Sequence, residues 1–149
     1  IKSVGDIDLL IGNTTPQDNS NINPEDYVNT GIEFIDVLPI DGYTSEKDQS
    51  DIELAASANF NWALPSDFMR TTKDFWATSS QHIAVSGDVT PAGKILRVGI
   101  IEPDGIRRCI YATGSFSYPF PLDKTGFYCV YAINDNSEVE NLTGAYVTY

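Results

Sequence analysis

From Leu54 to the last residue, apolar and polar positions alternate with a period of two. Phe60, Trp62 and Leu64 share one parity of LAASANFNWAL, Phe75 and Ala77, then Ile83 and Val85, alternate around a polar middle, and Leu96, Val98 and Ile100 share one parity of KILRVGII. Successive strand side chains project to opposite faces, so each run predicts a strand with one face in a core. On this reading Arg97 points outward. EPDG at 102–105 carries Pro103 and Gly105 where a tight turn needs them, and IRRCIYATG is expected to return as the partner strand. SFSYPFPL, GFYCVYAIN and AYVTY continue the series at a spacing of about 8–14 residues, the rhythm of an antiparallel sandwich rather than of βαβ units.

The first third is less regular. Ile7, Leu9 and Ile11 alternate and read as a strand closed by Gly12. Asn23 suits a helix cap, Pro24 the first helical position, and Glu25 and Asp26 the first turn, so a short helical turn is expected over 24–30. A second is expected near 45–52. IEFIDVLPI shifts parity between Phe34 and Ile35, which predicts a strand with a bulge, and Pro39 confines it to an edge or an end. The expected fold is all-β, an antiparallel two-sheet sandwich of jelly-roll-like form, with short helical turns in the N-terminal third. One domain is expected over 1–149, its 1–58 part acidic and loop-rich and its 59–149 part strand-rich. A chain of 149 residues buries enough surface for a core without metals or many disulfides.

Charge narrows the partners. The net charge is −12, and residues 1–58 hold twelve acids against two lysines. Phosphate recognition needs a basic surface, so a nucleic-acid partner is not expected. The one basic doublet, Arg107-Arg108, would point to opposite faces of a strand. No stretch approaches the roughly 18 apolar residues that span a bilayer, so membrane insertion is not expected. The opening IKSVGDIDLL lacks the regions of a signal peptide, and the chain is expected to be soluble, with AYVTY a C-terminal strand tucked into a sheet.

Little in the chain suggests catalysis. A Ser–His–Asp hydrolase needs a histidine base, and the single histidine, His82, lies on the parity opposite Ile83 and Val85, as an exposed strand residue would. No nucleophile-elbow, phosphate-loop, dinucleotide or H-E-x-x-H pattern occurs. Hydrolysis by two carboxylates has no motif, and stays as an alternative judged by geometry. Two cysteines and one histidine are too few for a closed zinc site. Calcium suits the oxygen-rich DNSNINPED and the acids that follow at 46–53, with Asp18, Asp26, Asp48 and Asp51 as candidate ligands against plain solvation. Trp62, Trp76 and Tyr118 are the candidate platform for a sugar or other ligand, against the competing reading that aromatics at period two build a core. Asn13-Thr14-Thr15 and Asn141-Leu142-Thr143 fit the N-glycosylation pattern and point to surface loops.

The run Phe116-x-Tyr118-x-Phe120-x-Leu122-Asp123-Lys124-Thr125-Gly126-Phe127-Tyr128-x-Val130-Tyr131-x-x-Asn134-x-x-Ser137 resembles the end of secreted bacterial β-sandwich modules of the pre-peptidase C-terminal type. The resemblance covers roughly residues 94–149. It implies a non-catalytic accessory or surface module of an exported protein, and it carries over no catalytic residue. Cys129 has no basic neighbour in sequence to form a thiolate, so a structural role is expected. With an even count and export, a disulfide between Cys109 and Cys129 is expected, a buried thiol being the other state. The function expected is a non-catalytic secreted or cell-surface binding or structural module with an extracellular ligand, polysaccharide or protein. The rivals are a carbohydrate-binding module, a capsid, tail or pilus-type assembly component, and a small carboxylate-dependent hydrolase. No cofactor is expected beyond calcium.

Overall fold

β-branched and aromatic residues repeated on one parity bury that parity when strands pair, and leave the other parity out. A computed structural model shows this pattern; it describes the backbone of residues 8–10, together with residues 28–37 and 56–149. The strands are β1 (Asp8–Leu10), β2 (Phe34–Val37), β3 (Ser57–Leu64), β4 (Phe68–Thr71), β5 (Phe75–Ala77), β6 (His82–Thr90), β7 (Leu96–Ile101), β8 (Arg107–Ala112), β9 (Gly114–Pro121), β10 (Gly126–Ile133) and β11 (Glu140–Thr148). They form an antiparallel two-sheet sandwich. The larger sheet runs β1-β4-β10-β7-β8-β2, with β5 pairing on β10, and the smaller runs β3-β11-β6-β9. Residues 28–30 form a turn. The rest of the helical turn expected at 24–30, and all of that at 45–52, lies outside the described residues.

The main core lies between the sheets. From the small sheet it takes Trp62, Leu64, Ile83, Val85, Phe120 and Leu142, and from the large one Val98, Ile100, Ile110, Val130 and Ala132. Aromatic stacking adds to the area buried: Phe60 lies on Trp62 with ring centroids 4.3 Å apart, and Phe75 on Tyr146 at 4.2 Å. EPDG closes the β7–β8 hairpin as its sequence predicts. Gly105 N–H donates to Glu102 O at 2.9 Å, and Gly105 takes a φ of 90°, a conformation that favours glycine.

The far face of the large sheet is buried as well, so β7 and β10 have no exposed side. Phe34, Met69, Ile101, Cys109, Tyr131 and Ile133 belong to this second cluster. This changes the reading of Arg97, which leaves the main core as its parity dictates but enters the second cluster at only 2% exposure. Its guanidinium donates through Nη1 to Asp36 Oδ1 at 2.5 Å, and through Nε and Nη2 to the Asp135 carboxylate at 2.7 and 2.8 Å. Tyr131 O–H donates to the other Asp36 oxygen at 3.0 Å. Burial alone would pull the guanidinium pKa down, but the Asp135 hydrogen bond and the Asp36 charge outweigh it and hold Arg97 cationic. In the same layer Gly99 lies across from Tyr131 on one side and Cys109 on the other. A Cβ there would fall 2.0 Å from Arg108 O and 2.7 Å from Cys109 Cα, so only glycine lets β7 and β8 close up.

Two further expectations meet this layer. β2 is an edge strand with a register shift between Ile35 and Val37, as the parity shift predicts. The Cys109–Cys129 bridge does not form: both thiols are free and buried. Cys109 faces Gly99 on β7 and Cys129 faces Ile101 on the other side of the same strand. One whole strand lies between them. Two inter-strand spacings come to roughly 9.5 Å, beyond the ~7 Å over which a disulfide reaches between Cα atoms. Burial raises both thiol pKa values well above their ordinary range, with Asp36 adding to this at Cys109 and Asp74 at Cys129.

Candidate functional site

The adjacent arginines of β8 diverge because neighbouring strand residues face opposite ways. Arg107 turns to the second cluster, its guanidinium 5.6 Å from the Tyr131 ring centre and its Nε 3.9 Å from Asp36 Oδ2. Arg108 lies opposite Ile100 and turns toward the gap between the sheets, 5.9 Å over the Phe120 ring. There it forms the middle of a cleft with a cavity volume of about 460 Å³. This is within the range of small-ligand sites. Phe34, Ile35, Ile106, Pro121 and Leu122 give the cleft apolar walls, while Glu33, Glu102, Arg108, Asp123 and Lys124 supply its charge.

Each element brings one part. The residues before β2 bring Glu33, the β7–β8 turn brings Glu102, and the β9–β10 connection brings Lys124. Arg108 donates from Nε to Glu33 Oε1 at 2.9 Å, with Nη2 2.8 Å from the same oxygen, and from Nη1 to Glu102 Oε2 at 3.2 Å. Lys124 Nζ donates to Glu102 Oε1 at 2.7 Å and lies 3.3 Å from Asp104 Oδ2. Tyr118 O–H donates to Glu33 Oε2 at 2.6 Å. Tyr128 O–H donates to Lys124 O at 2.5 Å and so fixes the connection that carries the lysine.

The electrostatics follow from these contacts. Burial works against the Arg108 and Lys124 charges, yet the facing carboxylates raise both pKa values, so both stay cationic. Burial, then the bond to Glu33, raises the Tyr118 hydroxyl, which therefore stays a donor. Both oxygens of Glu33 and both of Glu102 thus accept from cationic or phenolic donors. Glu33, Glu102, Arg108 and Lys124 thus hold one another in place beside apolar walls, while Asp123 stays exposed 3.8 Å from Lys124 Nζ.

Of the expected aromatic platform, the structure brings none of the members together. Trp62 is 3% exposed, buried between the sheets on Phe60, which removes it as an exposed ring face. Trp76 is half-buried on β5, edge-on to Phe127 with centroids 5.1 Å apart, and belongs to the opposite face of the large sheet from the main core. Of the three, Tyr118 alone touches a cleft residue, donating its hydroxyl to Glu33. The calcium candidates Asp18, Asp26, Asp48 and Asp51 lie outside the described residues, and among the described residues no group of three or more metal-ligating side chains is assembled. Among those residues, too, no helix is long and apolar enough to cross a membrane. His82 is partly exposed and stacks on Tyr149 at 5.1 Å. Asn141 is exposed but sits in β11, a strand rather than a loop, and Asn13 is outside the described residues.

Sequence reading finds Arg108 only as half of a doublet and passes over Glu33, Glu102 and Lys124. Their signal is placement: an acid just ahead of an edge strand, an acid opening a hairpin turn and a lysine in a sheet-to-sheet connection. No protein-family model matches the chain, and no curated protein matches it.

Proposed function

We propose that this protein is a non-catalytic binding module of an exported or cell-surface protein, with its ligand seated in the cleft around Arg108. The resemblance of residues 94–149 to secreted sandwich modules supports export, and the cleft supports binding. The observation that carries the reading is that all four carboxylate oxygens of Glu33 and Glu102 are already engaged. A carboxylate hydrolase needs one acid free to give a proton to a leaving group and another open to water or substrate. Groups locked in mutual pairs instead offer fixed polar points that orient a ligand at little entropic cost. The apolar walls are Ile35, Ile106, Pro121, Leu122 and Phe34, and Phe34 is buried against Tyr111 at 6% exposure, which leaves little ring surface for a sugar, so a protein segment with an apolar side chain fits better than a polysaccharide.

The test is amide chemical-shift mapping of the full chain against a panel of soluble polysaccharides and short extended peptides carrying apolar and charged residues. Shifts confined to residues 31–35, 102–108 and 118–124, and lost in Arg108→Gln, support the reading. Shifts clustered elsewhere, or turnover of a glycoside abolished by Glu33→Gln, would overturn it.

A further inference from the structure

The two edges of the small sheet are treated differently, and the difference points to an interface independent of the cleft. In an antiparallel pair, alternate residues exchange backbone hydrogen bonds with the partner, and those between them aim N–H and C=O away from it. Leu122 N–H donates to Gln81 O, which fixes the phase for β6 and β9. Ser115, Ser117, Pro119 and Pro121 therefore turn their backbone toward the free edge of β9. Two of those four positions are proline and have no N–H to offer. Along the same edge Gly31 approaches Tyr118, whose ring would lie 3.7 Å from a Cβ at that glycine, and Glu33 takes the Tyr118 hydroxyl. Prolines and a covering segment are the usual means of protecting an edge.

β3, at the other edge, has no such protection among the described residues. Thr148 N–H donates to Ala56 O, so Ala58, Phe60, Trp62 and Leu64 bond inward to β11. Ser57, Asn59, Asn61 and Ala63 then aim their backbone groups outward, and all four are exposed. The strand SANFNWAL has eight residues, no proline and no charge. Among the described residues no strand pairs with this edge. Such an edge is a template for another strand.

We propose that its occupant is a second copy of this chain, adding its own β3 antiparallel to form one continuous eight-stranded sheet. The edge is self-complementary. A two-fold axis at Phe60 sets Asn59 against Asn61 of the second copy and Ser57 against its Ala63, so that every outward N–H and C=O finds a partner. The two Phe60 residues then meet as a close aromatic cross-strand pair. Charge favours the same solution. With a net charge of −12 the chain repels its own copies, and like charges set opposite each other destabilise a ladder. β3 has none, and Asp88 is the one exposed acid on the four strands of its sheet.

Multi-angle scattering of the full chain from about 1 μM to about 1 mM covers the range in which so small an interface assembles. The expected result is a weight-average mass that rises from one chain to two. Asn59→Pro, which removes an outward N–H at the kind of position that Pro119 occupies on β9, should hold the mass at one chain with the circular dichroism unchanged. Ser117→Pro, on the protected edge, should dimerise like the wild type. A wild type of constant one-chain mass, a folded Asn59→Pro that dimerises normally, or equal loss in Ser117→Pro would overturn the proposal. Should Asn59→Pro fail to fold, hydrogen exchange of the wild type decides. The amides of Ser57, Asn59, Asn61 and Ala63 should slow at least tenfold at the high concentration, and no slowing overturns the proposal.

Discussion

Asp36→Ala is expected to be the most damaging single change to a polar residue outside the main core. Asp36 has no exposed surface, and it accepts from Arg97 Nη1 at 2.5 Å and from Tyr131 O–H at 3.0 Å, with Arg107 Nε 3.9 Å away. Withdrawing one partner of a buried ion pair costs about 3–5 kcal/mol, because the remaining charge stays out of water. Arg97 keeps its two bonds to Asp135, whose side chain is half exposed, which places its share at the lower end. Tyr131 loses its acceptor while fully buried, adding about 1–3 kcal/mol. Because these costs overlap, the loss is about 4 kcal/mol, a large part of the ~5–15 kcal/mol that holds a domain together. At about 2–4 °C per kcal/mol for a chain of this size, Tm should fall by roughly 8–16 °C. The measurement is urea unfolding followed by Trp fluorescence, with Asp36→Asn alongside. The amide keeps an acceptor for Tyr131 but removes the charge, and should lose about half as much. Asp36 also ties β2 to the sheet, so in Asp36→Ala the hydrogen exchange of residues 33–36 should speed up before that of β7 or β10. A loss below about 1 kcal/mol in Asp36→Ala, with its m-value unchanged, would refute the claim that this network is closed to water.

Three other outcomes follow from the same geometry. Glu140 is fully buried, neither carboxylate oxygen has a hydrogen-bond partner among the described residues, and burial raises its pKa, with Lys94 opposing and Glu138 adding to the shift. A raised native pKa gives stability that is full below the ordinary carboxylate value and lost as pH rises through the raised one. Glu140→Gln should therefore be more stable than the wild type by ~1 kcal/mol at pH 7, the advantage shrinking as pH falls through the mildly acidic range; thermal melts at several pH values check this, and a gap that does not change with pH would refute it. Gly99→Ala should cost at least about 3 kcal/mol or prevent folding, since the new methyl meets backbone on β8 rather than a movable side chain; a denaturation midpoint equal to wild type would contradict the close approach. Thiol titration should find two groups per chain in denaturant under non-reducing conditions, and slow reaction in the native state because burial disfavours both thiolates; a single group or none would restore the bridge.

The strand-rich part was readable because period-two alternation reports a strand with one buried face. Phe60-Trp62-Leu64 and Leu96-Val98-Ile100 meet in the core for that reason. Alternation could not report a sheet buried on both sides. KILRVGII placed Arg97 outward correctly, but whether outward means water depends on residues distant in sequence, here Asp36 and Asp135. The uninterrupted apolar run of GFYCVYAI was the available sign of a doubly covered strand. The cysteine pairing failed on strand order: sequence brings β8 and β10 near each other, and only the topology places β7 between them. The cleft is illegible for a similar reason, since Arg108 comes from β8 and its partners Glu33, Glu102 and Lys124 from three connections whose meeting point no local pattern encodes. The β2 bulge, by contrast, was legible because a parity change needs only its own few residues.

The position of β11 between β3 and β6 has a consequence for how the protein comes to be made. Leu64 finds its ladder partner at Glu140, and β3 has no other described neighbour in its sheet. A chain leaving the ribosome would therefore present Phe60, Trp62 and Leu64 to its surroundings until the sequence through Thr148 is complete. Non-local pairing of this kind is slow to form and open to aggregation meanwhile. Until β11 is made, synthesis leaves an acidic chain with an unfinished apolar strand, suited to capture by a holdase, and the pairing of β11 with β3 ends that exposure.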